Sequence, residues 1–120
     1  MAEKTGLAGG LTNYGDPEFA LYLRRSFAKS MGYTDEALNK PIVGICYTES
    51  GFNNCHRHFP ELLEAVKRGV LSNGALPVAF PVTSLGEVFL NPTSMLFRNL
   101  MAMDVEEMIR AQPMDSVVLM

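Results

Sequence analysis

Apolar side chains recur every three or four residues in two stretches of the chain, and that spacing is typical of one helix face. The first stretch follows Asp16 and Pro17, which have the form of an N-cap and a proline at the first helical position. It ends near Gly32, a residue suited to a left-handed helix cap. The second stretch begins near Phe59 and ends near Gly74. Both patterns predict amphipathic helices.

A third helix is predicted through residues 95–103, where methionine and leucine recur at the same spacing. It follows Asn91-Pro92, which repeats the cap sequence of the first helix. Asp104 and Glu107 have the spacing of a capping box, and they predict a further short helix that Pro113 closes.

Continuous apolar runs alternate with these helices at 41–47, 76–82 and 117–120. A run of this kind, rich in β-branched residues, is typical of a strand buried on both faces of a parallel sheet. Pro77 and Pro81 indicate that the second strand is short or lies at an edge. Strands that alternate with helices predict crossover connections. We therefore expect an α/β fold with a mostly parallel sheet and helices on both faces.

The length of 120 residues corresponds to one modest domain. Residues 1–12 are small and glycine-rich, and they predict a flexible N-terminal arm. The sequence stops within the apolar run 117–120, where a terminal carboxylate would lie beside the core. We expect residues 13–120 to be the N-terminal portion of a larger α/β domain, truncated at its C-terminal end. The alternative is an edge strand whose terminus reaches solvent.

Composition and charge exclude several classes of partner. The charged content of 19% is below the usual ~25%, which indicates that part of the surface is covered in the working molecule. The net charge is −3 and the ten Lys and Arg residues are scattered, which argues against nucleic acid or an anionic membrane as a partner. No apolar run approaches the ~20 residues of a membrane span, and the N-terminus lacks the pattern of a signal peptide. We expect a cytoplasmic protein.

The two cysteines are too few for a disulfide framework and are expected to be thiols. Cys46 lies within an apolar run and is predicted to be in the core. Cys55 comes just before a predicted helix, where the free amides favour a thiolate that could act as a nucleophile or a soft metal ligand. The alternative is an inert, half-buried cysteine. His56 and His58 are too close to Cys55 to complete a structural zinc site.

Two polar loops, 48–58 and 83–90, follow the first and second predicted strands. In open parallel sheets, ligands bind beyond the carboxyl ends of the strands. Glu87 lies in the second loop among apolar neighbours, and its carboxylate would suit Mg²⁺. The alternative for this residue is an ordinary salt bridge, with Arg98 as its partner. Glu49 in the first loop is a weaker candidate of the same kind, with a solvated carboxylate as its alternative.

Several motifs resemble the IlvD/Edd dehydratases, a family that includes dihydroxy-acid, 6-phosphogluconate and sugar-acid dehydratases. The resemblance covers nearly the whole chain from about residue 12. The stretches that carry it are 15–17, 22–27, 52–57, 84–90 and 97–115. The Ser-Leu-Gly-Glu sequence at 84–87 is more similar to the arabinonate and xylonate branch than to the branched-chain amino-acid branch.

The family dehydrates 2,3-dihydroxy carboxylic acids to 2-keto acids with an iron–sulfur cluster, of the 2Fe–2S or 4Fe–4S type, and Mg²⁺. The resemblance implies that Cys55 is one of three cysteine ligands of the cluster and that Glu87 is a ligand of Mg²⁺. It also implies that a Gly-Gly-Cys-Asp-Lys motif with further ligands follows the third strand. The general base is expected beyond residue 120, so the chain would contain no catalytic residue of its own.

The resemblance therefore implies a hydro-lyase that converts a sugar acid, such as arabinonate or xylonate, to a 2-keto-3-deoxy acid. The full-length protein is expected to be a homo-oligomer, either a dimer or a tetramer. The 120-residue chain alone is expected to be inactive, because one cysteine cannot hold a cluster that needs three. The alternatives are a dihydroxy-acid dehydratase of branched-chain amino-acid biosynthesis, a non-catalytic α/β binding or assembly module, and a thiol enzyme that uses Cys55.

Overall fold

A parallel three-stranded sheet is the centre of the structure, a computed structural model that describes residues 4–120. The strands are β1 (Ile42–Tyr47), β2 (Leu76–Pro81) and β3 (Ser116–Leu119), and their order in the sheet is β2-β1-β3. In the register, Cys46 of β1 pairs with Phe80 of β2 and with Leu119 of β3. The predicted α/β class and the parallel sheet are confirmed.

The α-helices of residues 4–120 are α1 (Pro17–Ser30), α2 (Asp35–Leu38), α3 (Phe59–Ser72) and α4 (Arg98–Ala111). The N-cap predicted for α1 is confirmed, because the Asp16 carboxylate accepts hydrogen bonds from the backbone amides of Glu18 and Phe19. α3 ends at Ser72, close to the predicted Gly74, which has a positive φ of 81°. None of the described helices is long and apolar enough to span a bilayer.

The predicted boundary inside the last helix is wrong. α4 continues without a break through Asp104, so Asp104 and Glu107 do not form a capping box. The Asp104 carboxylate instead accepts hydrogen bonds from the backbone amide and the hydroxyl of Thr83, at 2.9 and 3.0 Å. Asp104 therefore joins α4 to the loop that follows β2. This contact depends on tertiary structure, which sequence spacing does not report.

Asn91-Pro92 does not act as the helix start that its resemblance to Asp16-Pro17 predicted. The peptide bond between the two residues is cis, and the helical segment begins after Thr93, whose hydroxyl accepts from the amide of Met95. The first turn, Ser94–Phe97, is a 3₁₀ turn that leads directly into α4. The predicted helix through residues 95–103 is therefore present, with a 3₁₀ turn at its start.

The core lies between the sheet and the elements packed on it. Ile45 and Cys46 in the central strand are the most buried large side chains, at 0% and 2% exposure. The prediction that Cys46 belongs to the core is confirmed. A second group of buried side chains joins the sheet to α1, α2 and the N-terminal segment; it consists of Leu7, Ala28, Leu38, Ile42 and Leu76.

The N-terminal segment contacts the sheet through Asp115, the residue before β3. The Asp115 carboxylate accepts from the backbone amide of Gly6, at 2.9 Å, and from that of Ile42, at 2.7 Å. The Arg24 guanidinium donates to the carbonyl of Leu7, at 2.9 Å. Residues 1–3 of the predicted flexible arm lie outside the described residues. The contacts of Gly6 and Leu7 belong to the part of the arm that the structure describes.

We predict that Asp115→Ala lowers the free energy of unfolding by about 1–3 kcal/mol, because it leaves two backbone amides without their acceptor. Urea denaturation of the variant and the parent measures this change. Asp35→Ala is the control, since Asp35 forms only a surface ion pair with Lys29 and Arg25 and should change stability by about 1 kcal/mol or less. Equal small losses in both variants would contradict the role given to Asp115.

Candidate functional site

Because the three strands are parallel, their carboxyl ends lie together at one edge of the sheet, which we call the carboxyl edge. The loops 48–58 and 83–90 leave β1 and β2 at this edge. Cys55 lies in a 3₁₀ turn, Asn54–His56, shortly before α3 begins, and its side chain is exposed. The structure thus places the predicted loop, with an accessible thiol, where ligands bind in folds of this kind.

The side chain of Asn53 joins the two loops. It is 4% exposed, and its Oδ1 accepts from the backbone amide of Cys55 at 3.2 Å. Its Nδ2 donates to the hydroxyl of Ser84 at 3.0 Å and to the carbonyl of Leu85 at 3.2 Å. One buried amide therefore connects the backbone of the cysteine to the loop that contains Glu87.

His56 and Thr48 form a second link at the carboxyl edge. Nδ1 of His56 lies 2.8 Å from the carbonyl oxygen of Thr48, and because a carbonyl only accepts, this geometry assigns a proton to Nδ1. The His56 ring stacks on Phe59 with ring centroids 4.1 Å apart. The buried hydroxyl of Thr48 donates to the carbonyl of Met120 at 3.0 Å, so it connects the ends of β1 and β3.

Gly86 allows the two loops to approach each other closely. A Cβ atom at this position would lie 2.7 Å from the carbonyl oxygen of Phe52 and 3.1 Å from Cα of Asn53. Both are backbone atoms, so neither can move without shifting its loop. The rings of Phe52 and Phe89 meet edge-to-face beside this approach, with centroids 6.2 Å apart.

Glu87 is exposed, and its carboxylate is held by the segment that starts α4. It accepts from the Thr93 hydroxyl and from the Ser94 backbone amide, both at 2.8 Å, and also from the Ser94 hydroxyl. These hydrogen bonds, with that of the Ser94 hydroxyl the largest cause, lower the pKa of Glu87 below its ordinary value of 4.5. The carboxylate is therefore ionised at neutral pH.

The alternative explanation of Glu87, an ion pair with Arg98, is wrong. The Arg98 guanidinium lies 3.6 Å from the sulfur of Met95. Among the ion pairs of residues 4–120, none includes Glu87. The groups that donate to this carboxylate are two hydroxyls and a backbone amide.

The two cysteines differ sharply in their environment. Burial, and to a smaller extent the charge of Asp104, raises the pKa of the Cys46 thiol. Cys46 is thus unsuited to act as a thiolate. Cys55 is the accessible thiol of the pair.

The loops that carry Cys55 and Glu87 are hydrogen-bonded to each other, but the two side chains do not form a complete metal site. Within residues 4–120 no group of three or more His, Cys, Asp or Glu side chains is placed to hold a metal ion. The donor chemistry still fits the implied cofactors, because a thiol suits iron and an ionised carboxylate suits Mg²⁺. Each residue would supply one ligand of a larger set.

A cleft of about 350 Å³ lies beside the first loop. Glu49, the weaker carboxylate candidate, lines it together with Asn53, His56 and Phe89. The cleft shares Asn53 and His56 with the links between the loops, so it belongs to the same carboxyl-edge site.

Sequence reasoning identified Cys55 and Glu87 and missed the residues that hold their loops. These are Thr48, Asn53, His56, Ser84 and Gly86. One contact had a local signal, since an asparagine two residues before an amide donor is typical of an Asx turn. The bonds from Asn53 to Ser84 and Leu85 join residues 31 and 32 positions apart, and the bond from Thr48 to Met120 joins residues 72 positions apart, so nothing local indicates them.

Comparison with known proteins identifies relatives of the chain. The family model described as "Dihydroxy-acid/6-phosphogluconate dehydratase N-terminal" matches residues 40–120. L-arabonate dehydratase of Azospirillum brasilense is 49% identical over 100 residues, which cover 82% of this chain and 17% of the relative. The 6-deoxy-6-sulfo-D-gluconate dehydratase of Pseudomonas putida is 48% identical over 86 residues, covering 72% of this chain and 15% of the relative.

A more distant relative is the dihydroxy-acid dehydratase of Ruminiclostridium cellulolyticum, 34% identical over 99 residues that cover 78% of this chain and 18% of the relative. The chain thus spans less than a fifth of the length of these curated relatives. The matched region includes the loops of both Cys55 and Glu87.

We predict that Gly86→Ala destabilises the fold by about 1–3 kcal/mol, because its methyl group would press on the backbone of the neighbouring loop. Gly51→Ala is the matched control, since a Cβ there meets no atom within 4 Å. Chemical denaturation of the two variants tests the difference. Equal stability of the two would show that the loops do not need a glycine at position 86.

We predict that Ser94→Ala raises the pKa of Glu87 towards 4.5, because it removes the largest cause of the lowering. A carboxyl ¹³C NMR titration measures the pKa directly. Because the pKa of Glu87 is lower in the folded than in the unfolded protein, its ionised carboxylate stabilises the fold at pH values above 4.5. This stabilisation is lost as the pH falls from 4.5 through the pKa of the folded protein.

The pH dependence of unfolding should therefore become shallower below pH 4.5 in Ser94→Ala than in the parent. Ser72→Ala is the control, since the Ser72 hydroxyl donates to a carbonyl of α3. An unchanged Glu87 pKa in Ser94→Ala would contradict the assignment.

Proposed function

The chain belongs to the dihydroxy-acid/6-phosphogluconate dehydratase family, and we propose that it forms the N-terminal part of a hydro-lyase that dehydrates a sugar acid. The substrate would be a 2,3-dihydroxy carboxylate such as arabinonate or xylonate, and the product a 2-keto-3-deoxy acid. The observation that carries the proposal is that the region matched by the family model contains two loops, one with Cys55 and one with Glu87, joined at the carboxyl edge.

In this proposal Cys55 would hold iron of an iron–sulfur cluster and Glu87 would hold Mg²⁺. When bound, these groups supply Lewis-acid chemistry to the substrate oxygens. The residues of this chain contribute an accessible thiol and a carboxylate whose pKa is lowered by hydrogen bonds from Ser94 and Thr93. The reaction removes a proton from C2 and the hydroxyl from C3, and the enol formed becomes the 2-keto acid. The base for the C2 proton would lie outside residues 1–120.

The choice of a sugar acid rests on the relatives. Those named for arabonate and sulfogluconate are 49% and 48% identical to this chain, whereas a dihydroxy-acid dehydratase is 34% identical. The sequence Ser84 to Glu87, which lies at the junction of the two loops, also resembles the sugar-acid branch. A branched-chain dihydroxy acid is the alternative substrate.

We also propose a cytoplasmic homo-oligomer, either a dimer or a tetramer. Large apolar side chains are exposed on the helix surfaces, and apolar surface of this kind marks contact with further protein, either the rest of the polypeptide or a second copy. On α1, Phe19, Tyr22 and Phe27 are exposed, and on α4, Leu100 and Met103 are exposed.

To test the function, the complete polypeptide encoded with this chain is prepared without oxygen, loaded with iron, sulfide and Mg²⁺, and assayed for 2-keto acid formation. The substrates are L-arabinonate, D-xylonate and 2,3-dihydroxyisovalerate. We predict that the parent turns over a sugar acid and that Cys55→Ser shows no turnover. In Glu87→Gln we predict that activity falls by at least about 10- to 100-fold, because that is the loss seen when only a residue hydrogen-bonded to a metal ligand is removed. Cys46→Ala is the matched cysteine control and should remain active.

Preference for dihydroxyisovalerate would favour the alternative substrate. Full activity of Cys55→Ser would contradict the proposed ligand. The 120-residue chain alone should show no turnover, because it offers one of the three cysteines that the cluster needs. Turnover by that chain would overturn the proposal.

A further inference from the structure

The buried polar side chains of the described residues are Thr48 and Asn53, at 3% and 4% exposure. Both lie in the first loop at the carboxyl edge, and the Thr48 hydroxyl also lies 3.0 Å from Nδ1 of His56. Burial of a polar side chain is costly unless its hydrogen-bonding groups are satisfied, and here they are. A polar cluster of this kind is expected where a loop must be held in one position.

We infer that Asn53 is a positioning residue that fixes the direction of the Cys55 side chain relative to the loop of Glu87. The inference rests on the proposed function, in which both residues are metal ligands. In that proposal Asn53 is not itself a ligand. It acts through the backbone amide of Cys55, which it holds at 3.2 Å.

The primary amide of Asn53 has both an acceptor and two donor hydrogens, and its contacts use all of them. Its Oδ1 accepts from Cys55, while the two hydrogens of Nδ2 go to the Ser84 hydroxyl and the Leu85 carbonyl. An aspartate would keep the acceptor for Cys55 and lose both donors. An alanine would lose all three hydrogen bonds. The two substitutions therefore distinguish the role of Oδ1 as an acceptor from the role of Nδ2 as a donor.

The exposure of Cys55 makes this backbone contact important. Its thiol is not packed in the core, so neighbouring side chains do not fix its direction as they fix Cys46. Holding the amide restricts the backbone of Cys55, and the backbone limits which side-chain rotamers are available. Gly86 keeps the partner loop close enough for the bonds from Asn53 to form.

Residue-resolved hydrogen exchange on the complete polypeptide, without cluster, tests the inference. In Asn53→Ala we expect exchange about 5- to 10-fold faster at the Cys55 amide and in residues 83–90, the size expected for loss of a net hydrogen bond. In Asn53→Asp the Cys55 amide should keep its protection while residues 83–90 exchange faster. Asn73→Ala is the matched control, because Asn73 donates only to the Gly69 carbonyl at the end of α3.

The inference is overturned if Asn53→Ala leaves both regions unchanged, or if it accelerates the amides of β1 and β2 by the same factor, which would indicate general destabilisation. It is also overturned if the Cys55 amide exchanges as fast in Asn53→Asp as in Asn53→Ala. Should Asn53→Ala not fold, Ser84→Ala replaces it: faster exchange in 83–90 than in β1 and β2 supports the inference, and no difference overturns it.

A second readout is the EPR spectrum of the cluster-loaded protein after one-electron reduction with dithionite, which should broaden in Asn53→Ala and return towards that of the parent in Asn53→Asp. The exchange measurement is independent of dehydration. If the exchange pattern is as expected and no sugar acid is dehydrated, the positioning role stands and the proposed function fails. If dehydration occurs and the exchange pattern is unchanged, the positioning role fails and the proposed function stands.

Discussion

β1 has a parallel neighbour on each side, and both of its faces are covered, so Ile45 and Cys46 are almost completely removed from water. The other elements depend on this arrangement, because β2 and β3 pair only with β1 in the described sheet. Parallel pairing also fixes the direction of all three strands. Their carboxyl ends must therefore lie at the same edge, and the loops that follow them are brought together without any sequence similarity between them.

Side chains supply the hydrogen bonds where the strand ladder ends. At the amino edge, Asp115 accepts from the amide that begins β1 and from the N-terminal segment. At the carboxyl edge, Asp104 accepts from Thr83 just beyond β2, and Thr48 donates to the carbonyl that ends β3. Backbone groups at sheet ends would otherwise be left without partners in partly buried surroundings, which is costly. These contacts connect α4 and the N-terminal segment to the same three strands.

The candidate ligands and their supports have opposite environments. Cys55 and Glu87 are exposed, whereas Asn53, which links their loops, is buried. The exposed groups are free to meet a metal or substrate, and the buried amide limits how far the loops can move apart. Glu87 is held in addition by hydrogen bonds from Ser94 and Thr93, which lower its pKa. The carboxyl edge therefore combines two exposed candidate ligands with loops that are held in place by buried hydrogen bonds.

The sequence by itself determined the strands, the helices that follow Asp16 and His58, the burial of Cys46 and the identity of the family. These features are encoded by periodicity, caps and motifs within a few consecutive residues. It also pointed to Cys55 and Glu87, whose roles as ligands stay a prediction. Only the tertiary structure decided that Asp104 lies within one continuous helix and bonds to Thr83, and that Asn53 joins the two loops. The partners in those contacts lie 21 and 31 positions apart, and strand order, which no local pattern specifies, brings them together.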